Sequence, residues 1–123
     1  MILITGGAFQ GKTAYAKSHF NFETTDGAIC TPEEALSAYI LINFDALIRR
    51  LPDAESFTKK LYSENPDCVV ILPEIGCGIV PMEREERFFR ETAGRCGCIL
   101  AAYSDTVIRM ICGIPTAIKG TLL

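Results

Sequence analysis

The sequence predicts an α/β fold in which helices cover both faces of a small, mostly parallel sheet. Three apolar segments have the composition of buried strands, namely residues 1–5, 68–72 and 106–112. In residues 83–103, apolar residues recur every three or four positions, which is the spacing of one helical face. Because strands that alternate with helices form parallel β-α units, we expect a three-layer domain.

The beginning of the chain predicts a strand, a loop and a helix, in that order. Residues 1–5 are apolar up to Thr5, residues 6–11 are rich in glycine, and residues 12–20 are expected to begin a helix. We predict a further short strand near residues 27–30.

The middle of the chain predicts mainly helices. Thr31 offers an N-cap, with Pro32 at the first helical position and two acids after it, so a short helix should follow. Residues 38–43 fit either a buried strand or a continuation of that helix, and the pattern does not decide between them. The remaining predictions are helices over residues 44–51 and 53–63, a turn at residues 65–67 and a glycine-rich loop over residues 74–81.

Length and composition predict a single domain, residues 1–123. The net charge of −3 argues against a nucleic-acid-binding protein, which normally carries a basic surface. The apolar runs are far shorter than a membrane span, and the first residues do not resemble a signal peptide, so we expect a cytoplasmic protein. None of the 6 cysteines forms a Cys-x-x-Cys pair, which favours reduced thiols over a zinc site.

A phosphate-binding pattern follows the first predicted strand. The residues GGAFQGKT match G-x-x-x-x-G-K-[ST], the P-loop pattern, between a buried strand and a helix. Glycines let the backbone turn its N–H groups inward, and the next helix adds its positive dipole end. The residues predicted to bind nucleotide phosphates are Gly6, Gly7, Ala8, Phe9, Gln10, Gly11, Lys12 and Thr13. Lys12 would reach the β- and γ-phosphates and is a predicted catalytic residue, and the Thr13 hydroxyl would bind Mg²⁺.

A magnesium ion needs a second anchor, and an acid at the end of a neighbouring strand usually supplies it. Glu74 follows the strand-like residues 69–73, and a glycine-rich loop comes after it. Asp45 follows a similar apolar run. We predict Glu74 as the metal ligand, with Asp45 as the alternative, and Glu74 could instead act as the base toward the substrate hydroxyl.

A second motif narrows the class of P-loop protein. PEIGCGIVP, residues 73–81, leads into RFFRETAGR, residues 87–95, and the chain continues to CGIPTAIKG, residues 112–120. Together with ILITGGAFQGKT at the start, these motifs resemble the cobinamide kinase / cobinamide-phosphate guanylyltransferase family of cobalamin assembly. The similarity covers somewhat more than half of the chain.

This resemblance implies a fold, an activity and partners. Such enzymes are small parallel-sheet P-loop domains that phosphorylate the aminopropanol hydroxyl of adenosylcobinamide with ATP or GTP. They then transfer GMP from GTP through a guanylylated histidine, and they assemble as trimers. The resemblance also implies that residues 74–81 and 87–95 lie near the active site or a subunit contact. Arg87 is the predicted catalytic arginine, with Arg84 and Arg95 as alternatives.

Two departures from the family pattern bear on the activity. Residues 22–65 are short and contain no histidine, and His19 stands seven residues beyond Lys12, about 10 Å along the helix at 1.5 Å per residue. Pro73 replaces the asparagine that usually precedes the motif glutamate. We therefore expect a cobinamide kinase, with two alternatives: the bifunctional enzyme, or a nucleotide-binding regulatory protein without catalysis.

Overall fold

The computed structural model describes residues 1–75 and 82–123. Within these residues the sheet has six strands, and five helices pack around it. The strands are β1 (Ile2–Gly6), β2 (Thr24–Asp26), β3 (Ile40–Ile42), β4 (Val69–Pro73), β5 (Thr106–Ile111) and β6 (Ile114–Lys119). The helices are α1 (Lys12–His19), α2 (Pro32–Ala35), α3 (Phe44–Arg50), α4 (Ala54–Glu64) and α5 (Arg84–Tyr103).

The strand order is β2-β3-β4-β1-β5-β6, and every neighbouring pair is parallel except β5 and β6. Strand β1 is central and pairs with β4 on one side and β5 on the other. The predicted mostly parallel α/β sheet of the P-loop type is therefore confirmed. Among the described helices, none has the length and apolar character needed to cross a membrane.

Helices cover both faces of the sheet, so the predicted three layers are present. Successive strand residues point to opposite faces. On one face Leu3 and Val70 pack in the cluster that holds Phe44 of α3 and Leu61 of α4. On the other face Ile4, Ile71 and Ile108 pack with Ala16 of α1. Burial on both faces explains why the central strands are almost continuously apolar.

The predicted helix after Thr31 is confirmed, and its start has a capping box. The Thr31 hydroxyl accepts a hydrogen bond from the Glu34 backbone N–H at 3.1 Å, and the Thr31 N–H donates to the Glu34 carboxylate at 3.1 Å. The undecided residues 38–43 contain strand β3, residues 40–42.

The strand predicted near residues 27–30 is wrong, because the strand lies earlier, at Thr24–Asp26. Gly27 still donates its N–H to the Ile42 carbonyl at 2.8 Å, but the chain then turns. The Ile29 and Cys30 N–H groups donate back to the Asp26 carbonyl, which ends the extended pairing.

Strand β6 is an element that the sequence analysis missed. Strand β5 ends at Ile111, and a two-residue turn of Cys112 and Gly113 reverses the chain. Both turn residues have positive φ, 50° and 76°, as the tightest hairpins require. We call Cys112 and Gly113 the hairpin turn.

Gly6, at the end of the central strand β1, provides a test of how closely the strands β1 and β5 approach each other. Its φ is +141°, and a Cβ there would lie 2.5 Å from the Met110 carbonyl oxygen. We expect Gly6→Ala to lower the free energy of unfolding by about 2–4 kcal/mol in urea denaturation, because backbone atoms would have to move. Gly94→Ala is the matched control: nothing lies within 4 Å of its Cβ position on α5, so it should gain about 0.5–1 kcal/mol. Equal effects of the two variants would contradict the steric argument.

Candidate functional site

The glycine loop, residues 6–13, connects the central strand β1 directly to helix α1. Gly11 is the N-cap of α1 with φ of 90°, and it offers no side-chain acceptor to the first helical N–H groups. The first turn of α1 also contains no acid. No side chain in the first turn of α1 therefore neutralises the positive end of the helix, and this end is suited to bind an anion.

A concavity of about 350 Å³ lies over this loop. Its walls are formed by the loop, by the start of α1 and by the ends of β3 and β4; they comprise Ala8, Phe9, Gln10, Gly11, Lys12, Thr13, Ala14, Asn43, Ile71 and Pro73. Six of the eight predicted phosphate-binding residues thus face one hollow, whereas Gly6 and Gly7 stand before it in the chain.

Lys12 is held inside the loop, with its residue surface only 7% exposed. Its Nζ donates a hydrogen bond to the Gly7 carbonyl at 2.6 Å. Burial lowers the pKa of Lys12, and the negative charges of Asp45 and Glu74 partly oppose that shift. The structure therefore brings both predicted acids into electrostatic range of the lysine.

Glu74 lies beside the start of the glycine loop. Its backbone N–H donates to the Gly6 carbonyl at 2.9 Å. Its carboxylate accepts two hydrogen bonds from Arg109, from Nε at 2.6 Å and from Nη2 at 3.2 Å. The sequence analysis did not identify Arg109, although an arginine inside the otherwise apolar strand TVIRMI was a signal.

Asp45 stands in the first turn of α3, directly after β3. One of its carboxylate oxygens, Oδ1, is buried and accepts no hydrogen bond from the residues that the structure describes. A buried carboxylate oxygen without a donor costs free energy unless a cation or donor meets it. Asp45 therefore has the open coordination capacity that a magnesium ligand needs.

The predicted arginines lie on α5, away from the lining of the concavity. Arg87 is exposed, and its Nη1 donates to the Met82 carbonyl at 2.6 Å. Arg95 forms an ion pair with Glu55 of α4. The predicted loop glycines Gly76 and Gly78 belong to residues 76–81, which are outside the described residues.

His19 occupies the last position of α1, at the opposite end from the glycine loop. Its Nδ1 lies 3.0 Å from the Tyr15 carbonyl oxygen and 3.0 Å from the Ser18 hydroxyl. The expected position of this histidine, at the end of α1 opposite the glycine loop, is confirmed.

The central β1, the glycine loop after it and the helix that follows define an α/β protein of the P-loop NTPase type. A family model described as cobinamide kinase / cobinamide phosphate guanyltransferase matches residues 41–118, more than half of the chain. The chain belongs to this family, which confirms the resemblance drawn from its motifs.

A curated relative agrees with the family match. Over 51 residues the chain is 45% identical to the "Bifunctional adenosylcobalamin biosynthesis protein CobU" of Salmonella typhimurium. The match covers 42% of this chain and 28% of the relative. The family match begins after the glycine loop, so the phosphate-binding assignment of residues 6–13 rests on their pattern and geometry.

Replacing the buried ammonium separates its structural cost from its binding role. In Lys12→Met we expect triphosphate affinity to fall roughly 10- to 100-fold, the effect of losing charged hydrogen bonds, as measured by calorimetry. Burial lowers the pKa of Lys12 below 10.5 in the folded protein. Between that pKa and 10.5, the unfolded chain therefore binds more protons at this lysine than the folded protein does. The free energy of unfolding of the wild type should accordingly rise as pH increases toward 10.5. Lys12→Met should lack this rise. A variant that bound nucleotide as the wild type does would contradict the role of Lys12.

Proposed function

We propose that the protein is a nucleotide-dependent kinase that phosphorylates the aminopropanol hydroxyl of adenosylcobinamide, using ATP or GTP with Mg²⁺. The observation that carries the proposal is the buried Lys12 inside the glycine loop, with Asp45 and Glu74 in electrostatic range of it. Family membership and the name of the curated relative support the corrinoid substrate.

Binding and alignment are the main tasks of such a site, because phosphoryl transfer needs little covalent chemistry from the protein. Backbone N–H groups of residues 6–13 would hold the phosphates, with Lys12 at the β- and γ-phosphates. These donors stand at a helix end and in a partly buried hollow, where they stabilise charge more strongly than in water. An α5 arginine, Arg87 in our prediction, would add positive charge.

The residues present fit a magnesium ion. The hydroxyl of Thr13 and the carboxylate of Glu74 or Asp45 are oxygen ligands, which Mg²⁺ prefers. Within residues 1–75 and 82–123, no group donates a hydrogen bond to the Oδ1 of Asp45. Among the described residues no group of three or more His, Cys, Asp or Glu side chains could hold a metal alone. This agrees with an ion that arrives bound to nucleotide phosphates and keeps several waters. When bound, Mg²⁺ would neutralise charge that develops on the transferred phosphate.

Glu74 has a second possible role, as base toward the substrate hydroxyl. The hydrogen bond between its N–H and the Gly6 carbonyl fixes its backbone beside the loop. Arg109 donates hydrogen bonds to both carboxylate oxygens, which fixes the orientation of the Glu74 side chain.

Two observations favour the alternatives. The curated relative is described as bifunctional, which supports guanylyl transfer as a second activity, although His19 stands at the wrong end of α1. Pro73, beside Glu74, stands where the family pattern has an asparagine, which favours a nucleotide-binding regulatory protein. We further propose a cytoplasmic homo-oligomer, a trimer by resemblance, in which a neighbouring copy covers the site.

Labelled nucleotides distinguish these functions. We expect γ-labelled ATP or GTP, with Mg²⁺ and adenosylcobinamide, to give a labelled corrinoid that chromatography resolves from nucleotide. Lys12→Met is the inactive control. With α-labelled GTP, label that stayed on the denatured protein would show a covalent GMP adduct and support the bifunctional enzyme. Nucleotide binding without any labelled corrinoid would contradict the kinase.

Neutral amide variants identify the metal ligand. We expect Asp45→Asn to abolish most of the gain in nucleotide affinity that Mg²⁺ gives over EDTA, because one oxygen of Asp45 accepts no hydrogen bond from the described part of the chain. Glu74→Gln should lose less of this gain, because Arg109 engages both oxygens of Glu74. The affinity in EDTA serves as the internal control for each variant. The reverse order would assign the metal to Glu74.

A further inference from the structure

Both N–H groups of the hairpin turn donate hydrogen bonds to one residue of the glycine loop, Gln10. The Cys112 N–H donates to the side-chain Oε1 of Gln10 at 2.5 Å. The Gly113 N–H donates to the backbone carbonyl of Gln10 at 3.1 Å. These bonds join positions about one hundred residues apart in the chain, and Gly113 also packs beside Gly11, whose Cβ position is 3.5 Å from the Gly113 Cα.

The bond from Gly113 determines which way a loop amide points. The chain has no cis peptide bonds, and in a trans peptide the C=O and the following N–H point in opposite directions. Because the Gln10 carbonyl is directed at the hairpin turn, the Gly11 N–H is directed away from it.

The order of the strands shows which part of the molecule the Gly11 N–H faces. Strands β5 and β6 lie on one side of β1, and β4 and β3 lie on the other. The wall of the concavity opposite the loop comes from that second side, through Asn43, Ile71 and Pro73. An N–H directed away from the hairpin turn is therefore directed toward the concavity.

The loop would not hold this arrangement without support. Phe9 and Gly11, on either side of Gln10, both have positive φ, 58° and 90°. A non-glycine residue such as Phe9 pays a conformational cost there, and a surrounding contact must offset it. Phe9 itself is fully exposed and makes no packing contribution. Within the loop, Lys12 Nζ donates to the Gly7 carbonyl and Gln10 Nε2 donates to the Ala8 carbonyl. The bonds from the hairpin turn to Gln10 add support at the residue between Phe9 and Gly11.

We propose that Gln10 and the hairpin turn form a brace that presets the Gly11 amide for a phosphate, so that Gln10 is a positioning residue for nucleotide binding. The proposal rests on the proposed function of the glycine loop. In this proposal the hairpin turn between β5 and β6 contributes to nucleotide binding, although it is remote from the glycine loop in sequence.

Gln10→Met tests the brace, because methionine keeps the length of the side chain and removes the acceptor of the Cys112 bond. It also removes the Nε2 group that donates to the Ala8 carbonyl at 3.3 Å within the loop. We expect the Kd for ATP and GTP to rise about fivefold, the worth of one ordinary hydrogen bond. The Kd values for adenosine and guanosine, which carry no phosphate, should not change, since the effect is on phosphate binding. Thr116→Ala, an exposed position on β6, is the matched control and should bind as the wild type does.

Thermal unfolding and hydrogen exchange separate positioning from general destabilisation. A loss of stability alone would lower the folded fraction. It would leave the ratio of the triphosphate Kd to the nucleoside Kd unchanged for the folded protein. In the free wild-type protein, the Cys112 and Gly113 amides should exchange slowly, and in Gln10→Met the Cys112 amide should exchange faster.

The possible failures are distinguishable. If Gln10→Met bound ATP and GTP with the Kd values of the wild type, and with the same ratio of triphosphate Kd to nucleoside Kd, the brace would be overturned. The proposed function would still stand. Fast exchange of both amides in the wild type would also overturn the brace. If the wild type bound no nucleotide at all, the proposed function itself would be overturned, and the brace would fall with it.

Discussion

The pairing of β1 on both of its edges is the constraint on which the rest of the structure depends. A strand paired on both sides must leave the sheet at its centre, so the residues after Gly6 begin beside the carboxyl ends of β4 and β5. Parallel strands all end at the same edge, which places Asp45 and Glu74 near Lys12. The site is thus a consequence of strand order, and the side chains only complete it.

Much of this arrangement follows from local sequence signals. Strands β1 and β4 are apolar runs of sufficient length, and α5 has a strong helical period, so both kinds of element were predictable. The glycine pattern predicted the loop and six of the residues that line the concavity, and the acids after two apolar runs predicted the carboxylates near Lys12. These signals lie within a few residues of each other, and each has a direct physical cause.

The remaining features depend on contacts that are distant in sequence. Strand β2 could not be located because three polar residues form it, and only pairing with β3 makes them a strand. Strand β6 follows a turn in which Cys112 adopts positive φ, a conformation that no local propensity favours. The role of Arg109 depends on Glu74, 35 residues earlier. Such pairings become visible only when the fold has brought the strands together.

The buried thiols have a consequence for the chemistry of the whole molecule. Burial raises the pKa of Cys68 to about 12, and it also raises the pKa values of Cys30 and Cys96. Since the thiolate is the reactive form, these three core cysteines resist alkylation and oxidation at neutral pH. Of the cysteines that the structure describes, reagents therefore meet Cys98 and Cys112 first, and Cys112 offers a place to attach a fluorophore beside the loop without disturbing the core.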